Sequence, residues 1–153
     1  MQYLIRSTDS NDLSGVEQLC SQFGFPAPSE KLLQRYSLIL DYSSHCLLVA
    51  ADPSGAILGW VHAYEAPSLL SDRTVEIGGL VIDEKCRRKG IGKALMDAVE
   101  AWARDRGFDE VLLATRIDRV DAQEFYQALG YGFVHTTHFL VKSLPAGNGA
   151  PDH

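Results

Sequence analysis

The stretch Val81–Met96, VIDEKCRRKGIGKALM, decides the fold because it joins a strand pattern to a helix pattern through a basic turn. The stretch begins inside the run TVEIGGLVID (74–83), which is rich in β-branched and apolar residues. After the basic turn, apolar side chains recur at helical spacing: Ile91, Leu95, Val99 and Trp102. Five cations occupy the nine positions 85–93 of a chain whose formal net charge is −6: Lys85, Arg87, Arg88, Lys89 and Lys93. The stretch therefore predicts a strand, a positively charged turn and the N-terminus of a helix.

Such a turn has the properties of an anion site. The first turn of a helix exposes unpaired N–H groups and the positive end of the helix dipole. Gly90 and Gly92 would let a ligand approach the backbone without a Cβ in the way, and arginine can bind phosphate through two N–H groups at once. The stretch predicts a phosphate or pyrophosphate site; the alternative is a solvated basic turn with a capping glycine.

Two familiar phosphate loops do not fit the sequence. A Walker A loop needs a glycine where Arg87 stands and a hydroxyl residue where Ala94 stands. The dinucleotide fingerprint needs a third glycine where Leu95 stands. The pattern that fits is [QR]-x-x-G-x-[GA], which runs from Arg87 to Gly92 directly after a strand and at the start of a helix.

Composition excludes several functional classes. The chain has 153 residues, 46% hydrophobic and 22% charged, which is ordinary for one soluble domain. The acidic balance argues against nucleic-acid binding, and no apolar run approaches the ~20 residues of a membrane span. The N-terminal residues resemble no signal peptide, and Cys20, Cys46 and Cys86 form no CxxC pair. We therefore expect free thiols, no metal and a cytoplasmic location.

The remaining pattern predicts an α/β domain with a mixed sheet. Strands are expected at 3–7, 45–51, 56–65, 74–83 and 110–116, with one or two more in YGFVHTTHFLVKSL (131–144), and helices at 13–23, 29–42, 92–106 and 121–130. The turn DPSG should make 45–51 and 56–65 a hairpin, and the Gly78–Gly79 pair suggests a bulge. The domain is expected to cover 1–144, followed by a flexible tail at 145–153.

Three segments together resemble the GNAT superfamily of acyl-CoA-dependent N-acyltransferases. They are EIGGLVIDEKCRRKGIGKALM (76–96), AQEFYQALGY (122–131) and the opening IRSTDSNDLSGVEQL (5–19). The resemblance covers essentially residues 3–144. It implies a GNAT-like mixed, mostly antiparallel central sheet of six to seven strands, flanked by about four helices, with a β-bulge strand and a splayed cofactor cleft.

The resemblance also implies how acetyl-CoA would bind as cosubstrate. The pyrophosphate would lie on the loop, and the pantetheine arm would pair with the bulged strand, where a backbone amide of Leu80 or Val81 could stabilise the oxyanion. The implied cofactor-binding residues are Leu80, Val81, Ile82, Arg87, Arg88, Lys89, Gly90, Ile91, Gly92 and Lys93. Without the adjacent loop, IGGLVI would be interpreted as a buried strand with a packing bulge.

Two catalytic residues are candidates. The resemblance gives Tyr126 the role of general acid toward the leaving thiolate; the alternative is an amphipathic core residue. Glu76, just before the bulge, is the candidate base acting through water, and a solvent-facing carboxylate is an equal alternative. His62 and His138 are weaker base candidates, and His135 with His138 would face opposite sides of a strand, so no metal site is expected there.

Arg119 departs from the family pattern. Many relatives carry Asn at this position, seven residues before the motif tyrosine, to contact the pantetheine arm. Arg119 could reach cofactor phosphate or ribose, or face the acceptor, and the sequence does not choose.

The function implied is transfer of an acetyl group from acetyl-CoA to a primary amine of a small molecule or peptide, by direct transfer in a ternary complex. The rival is a non-enzymatic acyl-CoA-binding or adaptor protein. The segment expected to shape the acceptor pocket, GFPAPSEKLLQRYSLILDY (24–42), is apolar with few acids. We also expect a homodimer formed through 131–144, because an exposed edge strand favours pairing.

Overall fold

The computed structural model describes residues 1–145 as two compact units, Met1–Arg116 and a second unit that begins at Ile117. The strands of the first unit are β1 (Leu4–Ser7), β2 (His45–Ala51), β3 (Ile57–Ala66), β4 (Thr74–Ile82) and β5 (Val111–Leu112). Its helices are α1 (Leu13–Gln22), α2 (Ser29–Leu40) and α3 (Ile91–Asp105). The second unit contains α4 (Val120–Ala128).

The five strands form one mixed sheet in the order β1-β2-β3-β4-β5. The first three neighbouring pairs are antiparallel, and β4 pairs with β5 in parallel. The predicted β2–β3 hairpin is present, and Asp52 holds its turn by accepting hydrogen bonds from the N–H groups of Ser54 and Ala56. The sheet of the first unit is therefore mixed and mostly antiparallel, as expected.

Helices cover both faces of the sheet because strand side chains alternate between faces. On one face, Val16 and Leu19 of α1 pack with Val49, Ala51 and Val81. On the other, a Cβ built on Gly59 would lie 3.3 Å from Leu95 of α3, so α3 packs closely against β3. Leu95, Met96 and Val99 of α3 are fully buried together with Val61 and Val75. The two cores hold the β4–α3 connection between rigid elements.

The expected number of six to seven strands is wrong, since the described residues contain five. The predicted strand 110–116 is reduced to Val111–Leu112, and no strand is assigned within 131–145. The reason is pairing: β-propensity marks a segment that can form a strand, but a strand exists only where another backbone accepts its hydrogen bonds. The four α-helices agree with the expectation.

The C-terminal part of the second unit is exposed. Phe133, Phe139 and Val141 are 74%, 84% and 96% exposed, respectively. The tail predicted at 145–153 lies outside the described residues except for Pro145.

All three cysteines lie within the described residues and are unpaired. Burial raises the pKa of the Cys46 thiol to about 11, so this thiol is protonated and unreactive at neutral pH. None of the helices in residues 1–145 has the length and apolarity needed to cross a membrane.

Candidate acyl-donor and acceptor site

The N-terminus of α3 presents a row of free backbone N–H groups. Gly90 is the N-cap residue with φ 83°, and no side chain caps the helix. The first intrahelical bond is donated by the N–H of Ala94 to the carbonyl of Gly90, over 3.0 Å. The N–H groups of Ile91, Gly92 and Lys93 precede that bond and so lack helical acceptors. This arrangement is what an anionic ligand needs.

Backbone conformation explains the glycine at position 90. A φ of 83° lies in the left-handed region, where a Cβ collides with the backbone. Arg88 also has a positive φ of 63°, and within the described residues it is the single non-glycine residue with one. The loop between β4 and α3 therefore contains two residues, Arg88 and Gly90, in the uncommon left-handed conformation.

The basic side chains of the loop differ in availability. Arg87, Arg88 and Lys89 are exposed and form no hydrogen bond or ion pair within residues 1–145. Lys93, in contrast, lies 2.7 Å from Asp97 one helical turn later. Three of the four cations next to the helix terminus are therefore available to an anion, whereas Lys93 is neutralised by a neighbour.

The expected bulge is present in β4. Ile77 pairs with Ala63 and Gly79 with His62, which leaves Gly78 as the extra residue. A Cβ on Gly78 would lie 2.8 Å from Nδ1 of His62, and a Cβ on Gly79 would lie 2.7 Å from the Trp60 ring. Glycine is therefore required at both positions for these aromatic side chains to approach the strand.

Beyond the bulge, one edge of β4 is open. Pairing with β5 ends at Glu76, so within the described residues Ile77–Ile82 pair only with β3. The N–H of Asp83 donates to the carbonyl of Leu58 over 2.8 Å, toward β3. Because successive backbone amides alternate in direction, the N–H groups of Leu80 and Ile82 point toward the open edge and that of Val81 toward β3.

Glu76 is held by a neighbour across the ladder. The Tyr64 hydroxyl donates to Oε2 of Glu76 over 2.9 Å, and the two residues are paired in register. Burial raises the pKa of the Tyr64 phenol, and the Glu76 carboxylate raises it further. Glu76 is therefore a positioned carboxylate on the sheet face that also carries His62.

Sequence reasoning missed the partner of His62. Nδ1 of His45 lies 2.9 Å from Nε2 of His62, and the rings are stacked at 5.1 Å with an interplanar angle of 12°. Tyr64 contacts both rings, with centroid distances of 5.7 and 5.5 Å. The sequence contained a signal for this contact. The turn of the β2–β3 hairpin fixes its register and places His45 opposite Tyr64. His62, two residues before Tyr64, lies on the same face of the sheet and therefore close to His45.

A cavity of about 150 Å³ adjoins His45. Its lining residues come from β1, α2, β2 and the residues just after β1 and α2: Ser7, Thr8, Tyr36, Ile39, Leu40, Tyr42, His45 and Leu47. The segment expected to shape the acceptor pocket therefore supplies four of the eight residues of this cavity, all within the first unit.

In the second unit, Tyr126 packs edge-on against Phe125 and Tyr131, with ring centroids 5.0 and 5.8 Å apart. Burial raises the pKa of the Tyr126 phenol, and the positive charge of Arg119 opposes that rise. Arg119 lies 3.5 Å from Asp121 in the first turn of α4. Arg119 and Tyr126 are therefore electrostatically linked within this unit.

No group of three or more His, Cys, Asp or Glu side chains that could hold a metal ion occurs within residues 1–145. His135 and His138 are exposed residues of the non-strand segment after α4.

Comparison with known proteins adds three findings. Residues 13–131 match the model of the Acetyltransferase (GNAT) family. The chain is 32% identical to N-acetyltransferase 8 of Homo sapiens over 60% of this chain and 40% of that protein. It is 38% identical to mycothiol acetyltransferase of Salinispora tropica over 55% of this chain and 28% of that protein. The chain thus spans less than half the length of these two relatives.

A solved structure shares the fold. The structure of AAC(6')-Iy in complex with the bisubstrate analog CoA-S-monomethyl-acetylneamine aligns with a TM-score of 0.82 and 22% identity. The alignment covers 94% of this chain and 100% of that one. At this identity the likeness establishes the fold.

Proposed function

The chain belongs to the acetyltransferase (GNAT) family, and we propose that it transfers an acetyl group from acetyl-CoA to a primary amine. The observation that carries this proposal is the continuity of an open strand edge with an uncapped helix terminus: β4 offers N–H groups up to Ile82, and α3 begins nine residues later at Ile91. An extended ligand with amide groups at one end and a pyrophosphate at the other fits both features.

The pyrophosphate would accept hydrogen bonds from Ile91, Gly92 and Lys93, with Arg87, Arg88 and Lys89 adding charge. The thioester carbonyl would lie at the open edge of β4. Of the two amides expected to stabilise the oxyanion, Leu80 fits better than Val81, because the Val81 N–H faces β3. Ile82 would pair with the pantetheine arm on the same edge.

We assign the base to Glu76, acting through water, since Tyr64 holds its carboxylate beside the bulge. We assign the acid to Tyr126 on the strength of the motif AQEFYQALGY. A phenol is protonated at neutral pH even at its ordinary pKa of about 10, and burial raises the pKa of Tyr126 above that value. Arg119 would tune that acid through its charge.

The acceptor is an amine whose body is at least partly apolar. The cavity beside His45 is lined by aliphatic and tyrosine side chains, and within the described residues no carboxylate lines it. The names of the matched relatives span mycothiol and aminoglycoside chemistry, so they leave the acceptor open. We place the activity in the cytoplasm, in keeping with the unpaired cysteines.

The test is a coupled pair of measurements on the purified chain. Calorimetry with CoA measures donor binding, and a panel of primary amines with acetyl-CoA measures transfer through the release of free thiol. Binding together with amine-dependent thiol release supports the enzyme. Binding without release for any amine favours the rival non-enzymatic acyl-CoA-binding protein, and absence of binding rejects both.

We further propose a homodimer formed through the segment 131–144. Six apolar side chains of this segment are exposed: Phe133, Val134, Phe139, Leu140, Val141 and Leu144. A run of exposed apolar side chains of this kind is a common site of protein–protein association.

A further inference from the structure

We infer that the acceptor is a phenylalkylamine, whose single ring occupies the cavity beside His45 while its amine lies at the bulge near Glu76. This acceptor class rests on the proposed acetyl transfer to a primary amine and names the kind of amine that receives the acetyl group. The volume of the cavity, its lining, its polar groups and its distance from Glu76 all favour this class.

The volume of the cavity limits its occupant to one ring. The cavity holds about 150 Å³. An apolar protein cavity of about 150 Å³ accommodates one benzene molecule. An acceptor built from two or three sugar rings would place only one of them there. A cavity of this size therefore favours a small amine with one ring over an oligosaccharide.

The lining favours a flat, apolar ring. Three aromatic side chains share the lining with three aliphatic ones: Tyr36, Tyr42 and His45, and Ile39, Leu40 and Leu47. Aromatic rings prefer edge-to-face or offset contacts with one another, and such pairs contribute free energy beyond that of the area they bury. An aromatic ring therefore gains more from this lining than a saturated ring of the same size.

Two polar groups of the lining are already engaged with the backbone. The Tyr36 hydroxyl donates to the carbonyl of Thr8 over 3.3 Å, and the Thr8 hydroxyl donates to the carbonyl of Leu47 over 3.2 Å. A sugar ring would bring several hydroxyl groups into the cavity and leave some of them without partners, which costs free energy. A phenyl ring brings no such groups and avoids this cost.

The route from the cavity to the bulge crosses three neighbouring strands. His45 of β2 pairs with Tyr64 of β3, and Tyr64 pairs with Glu76 of β4, so the three side chains share one face of the sheet. Neighbouring strands lie about 4.8 Å apart, which places the backbones of His45 and Glu76 about 10 Å from each other. A ring at His45 and an amine one water molecule short of Glu76 are then roughly 6–7 Å apart, which a linker of about two to four carbons spans.

The histidine pair on this route does not oppose a cationic amine. Nδ1 of His45 and Nε2 of His62 lie 2.9 Å apart, and burial, together with the proximity of His45, lowers the pKa of His62 to about 4. His62 is therefore uncharged at neutral pH, where an alkyl amine arrives as an ammonium ion. The Glu76 carboxylate supplies negative charge that draws the ammonium ion toward the bulge.

A homologous series of amines tests the acceptor class. The series is benzylamine, phenethylamine, phenylpropylamine and phenylbutylamine, with ethylamine, cyclohexylethylamine and neamine as comparisons. We expect the highest kcat/KM for a phenylalkylamine with a linker of about two to four carbons. Phenethylamine should exceed ethylamine at least about 10-fold in kcat/KM, the scale of burying a phenylalanine side chain, and cyclohexylethylamine by about 3–10-fold.

Two substitutions of Ile39 probe the cavity itself. Ile39→Trp fills the cavity and should lower kcat/KM for phenethylamine at least about 10-fold, with the affinity for CoA unchanged. Ile39→Ala enlarges the cavity and should raise the ratio of kcat/KM for naphthylethylamine to that for phenethylamine. Leu38→Trp is the control and should behave as wild type, because Leu38 is 67% exposed and does not line the cavity. Thermal unfolding shows whether each variant is folded.

Acetyl transfer with equal kcat/KM for ethylamine and phenethylamine, or with the highest kcat/KM for benzylamine or neamine, overturns the acceptor class and leaves the acetyltransferase proposal intact. A folded Ile39→Trp protein that acetylates phenethylamine as well as wild type does the same.

If no amine releases thiol, the acetyltransferase proposal fails, and calorimetry with phenethylamine then tests the cavity without turnover. Binding to the wild type that is weakened in Ile39→Trp supports the ring site. Equal affinities of the two proteins, or no binding to either, overturn the ring site as well.

Discussion

The Tyr64 hydroxyl donates a 2.9 Å hydrogen bond to Oε2 of Glu76 across the β3–β4 ladder, two residues before the glycine bulge. This bond fixes a carboxylate at the position where β4 loses its second neighbour. Without this bond, Glu76 could be an exposed carboxylate at the edge of the strand. With it, the carboxylate is held beside the bulge.

The first prediction concerns this pair. Glu76→Gln keeps the shape of the side chain but removes the proton acceptor, so kcat for amine acetylation should fall about 100-fold. Tyr64→Phe is the matched control: it keeps the carboxylate and removes one hydrogen bond, which should cost about 1 kcal/mol of unfolding free energy and a smaller part of kcat. Steady-state kinetics and thermal unfolding of both variants check this. Equal activity of Glu76→Gln and wild type would make Glu76 a structural residue.

The second prediction concerns Gly90. Gly90→Ala should weaken CoA binding at least about 10-fold, because a Cβ at φ 83° costs about 1–2 kcal/mol and forces the loop to reorient its amides. Gly107→Ala is the control at the other end of α3, with φ 85° and equally open surroundings. Both variants should lose similar stability, and Gly90→Ala alone should lose affinity in calorimetry. Equal affinities for CoA would remove the pyrophosphate from this loop.

The third prediction concerns Tyr126. Tyr126→Phe should leave the CoA affinity unchanged and lower kcat about 100-fold, because the hydroxyl would act in the transition state. Arg119 opposes the rise in the pKa of Tyr126, so Arg119→Ala should raise that pKa and move any alkaline decline of kcat to higher pH. A pH–rate profile of the two variants measures both effects. A Tyr126→Phe protein with normal kcat and a lowered thermal midpoint would be evidence for a packing role.

The fourth prediction concerns assembly. Phe139→Asp and Val141→Asp should convert a dimer into a monomer, because each places a charge in an apolar contact. Leu69→Asp, at a fully exposed position of the β3–β4 loop, is the control and should leave the mass unchanged. Light scattering over a range of protein concentrations reports the result. A monomeric wild type at high concentration would refute the dimer.

The fifth prediction concerns stability in acid. Asp12 is 5% exposed and accepts hydrogen bonds from Nη1 and Nη2 of Arg6 at 2.7 and 2.9 Å, which lowers its pKa. A lowered folded-state pKa contributes stability above the unfolded value of about 3.9, and this contribution is lost as the pH falls through the folded value. Asp12→Asn should therefore cost about 1–3 kcal/mol at pH 7 and flatten the acid limb of the stability curve.

Asp97→Asn, which breaks the exposed Lys93–Asp97 pair, is the control and should change stability by less than about 0.5 kcal/mol. Urea unfolding between pH 3 and pH 7 provides the comparison. An unchanged acid limb in Asp12→Asn would show that the Arg6–Asp12 pair does not set the acid stability.

Local sequence determined the elements around the loop. The apolar patterns, the turn DPSG and the glycines at 78, 79 and 90 predicted β2, β3, β4 and α3 near their observed bounds. These signals act over a few residues: a glycine permits a left-handed conformation or a bulge wherever the rest of the chain lies. The match to the family pattern likewise depends on residues adjacent in sequence.

Tertiary structure decided what depends on partners distant in sequence. The contact between His45 and His62 joins residues 17 positions apart, and it follows from the hairpin register rather than from either residue's neighbours. The Tyr64–Glu76 bond likewise depends on β3 lying beside β4. The segment 131–144 has strand propensity but forms no strand, because a ladder needs a second backbone, which propensity cannot supply.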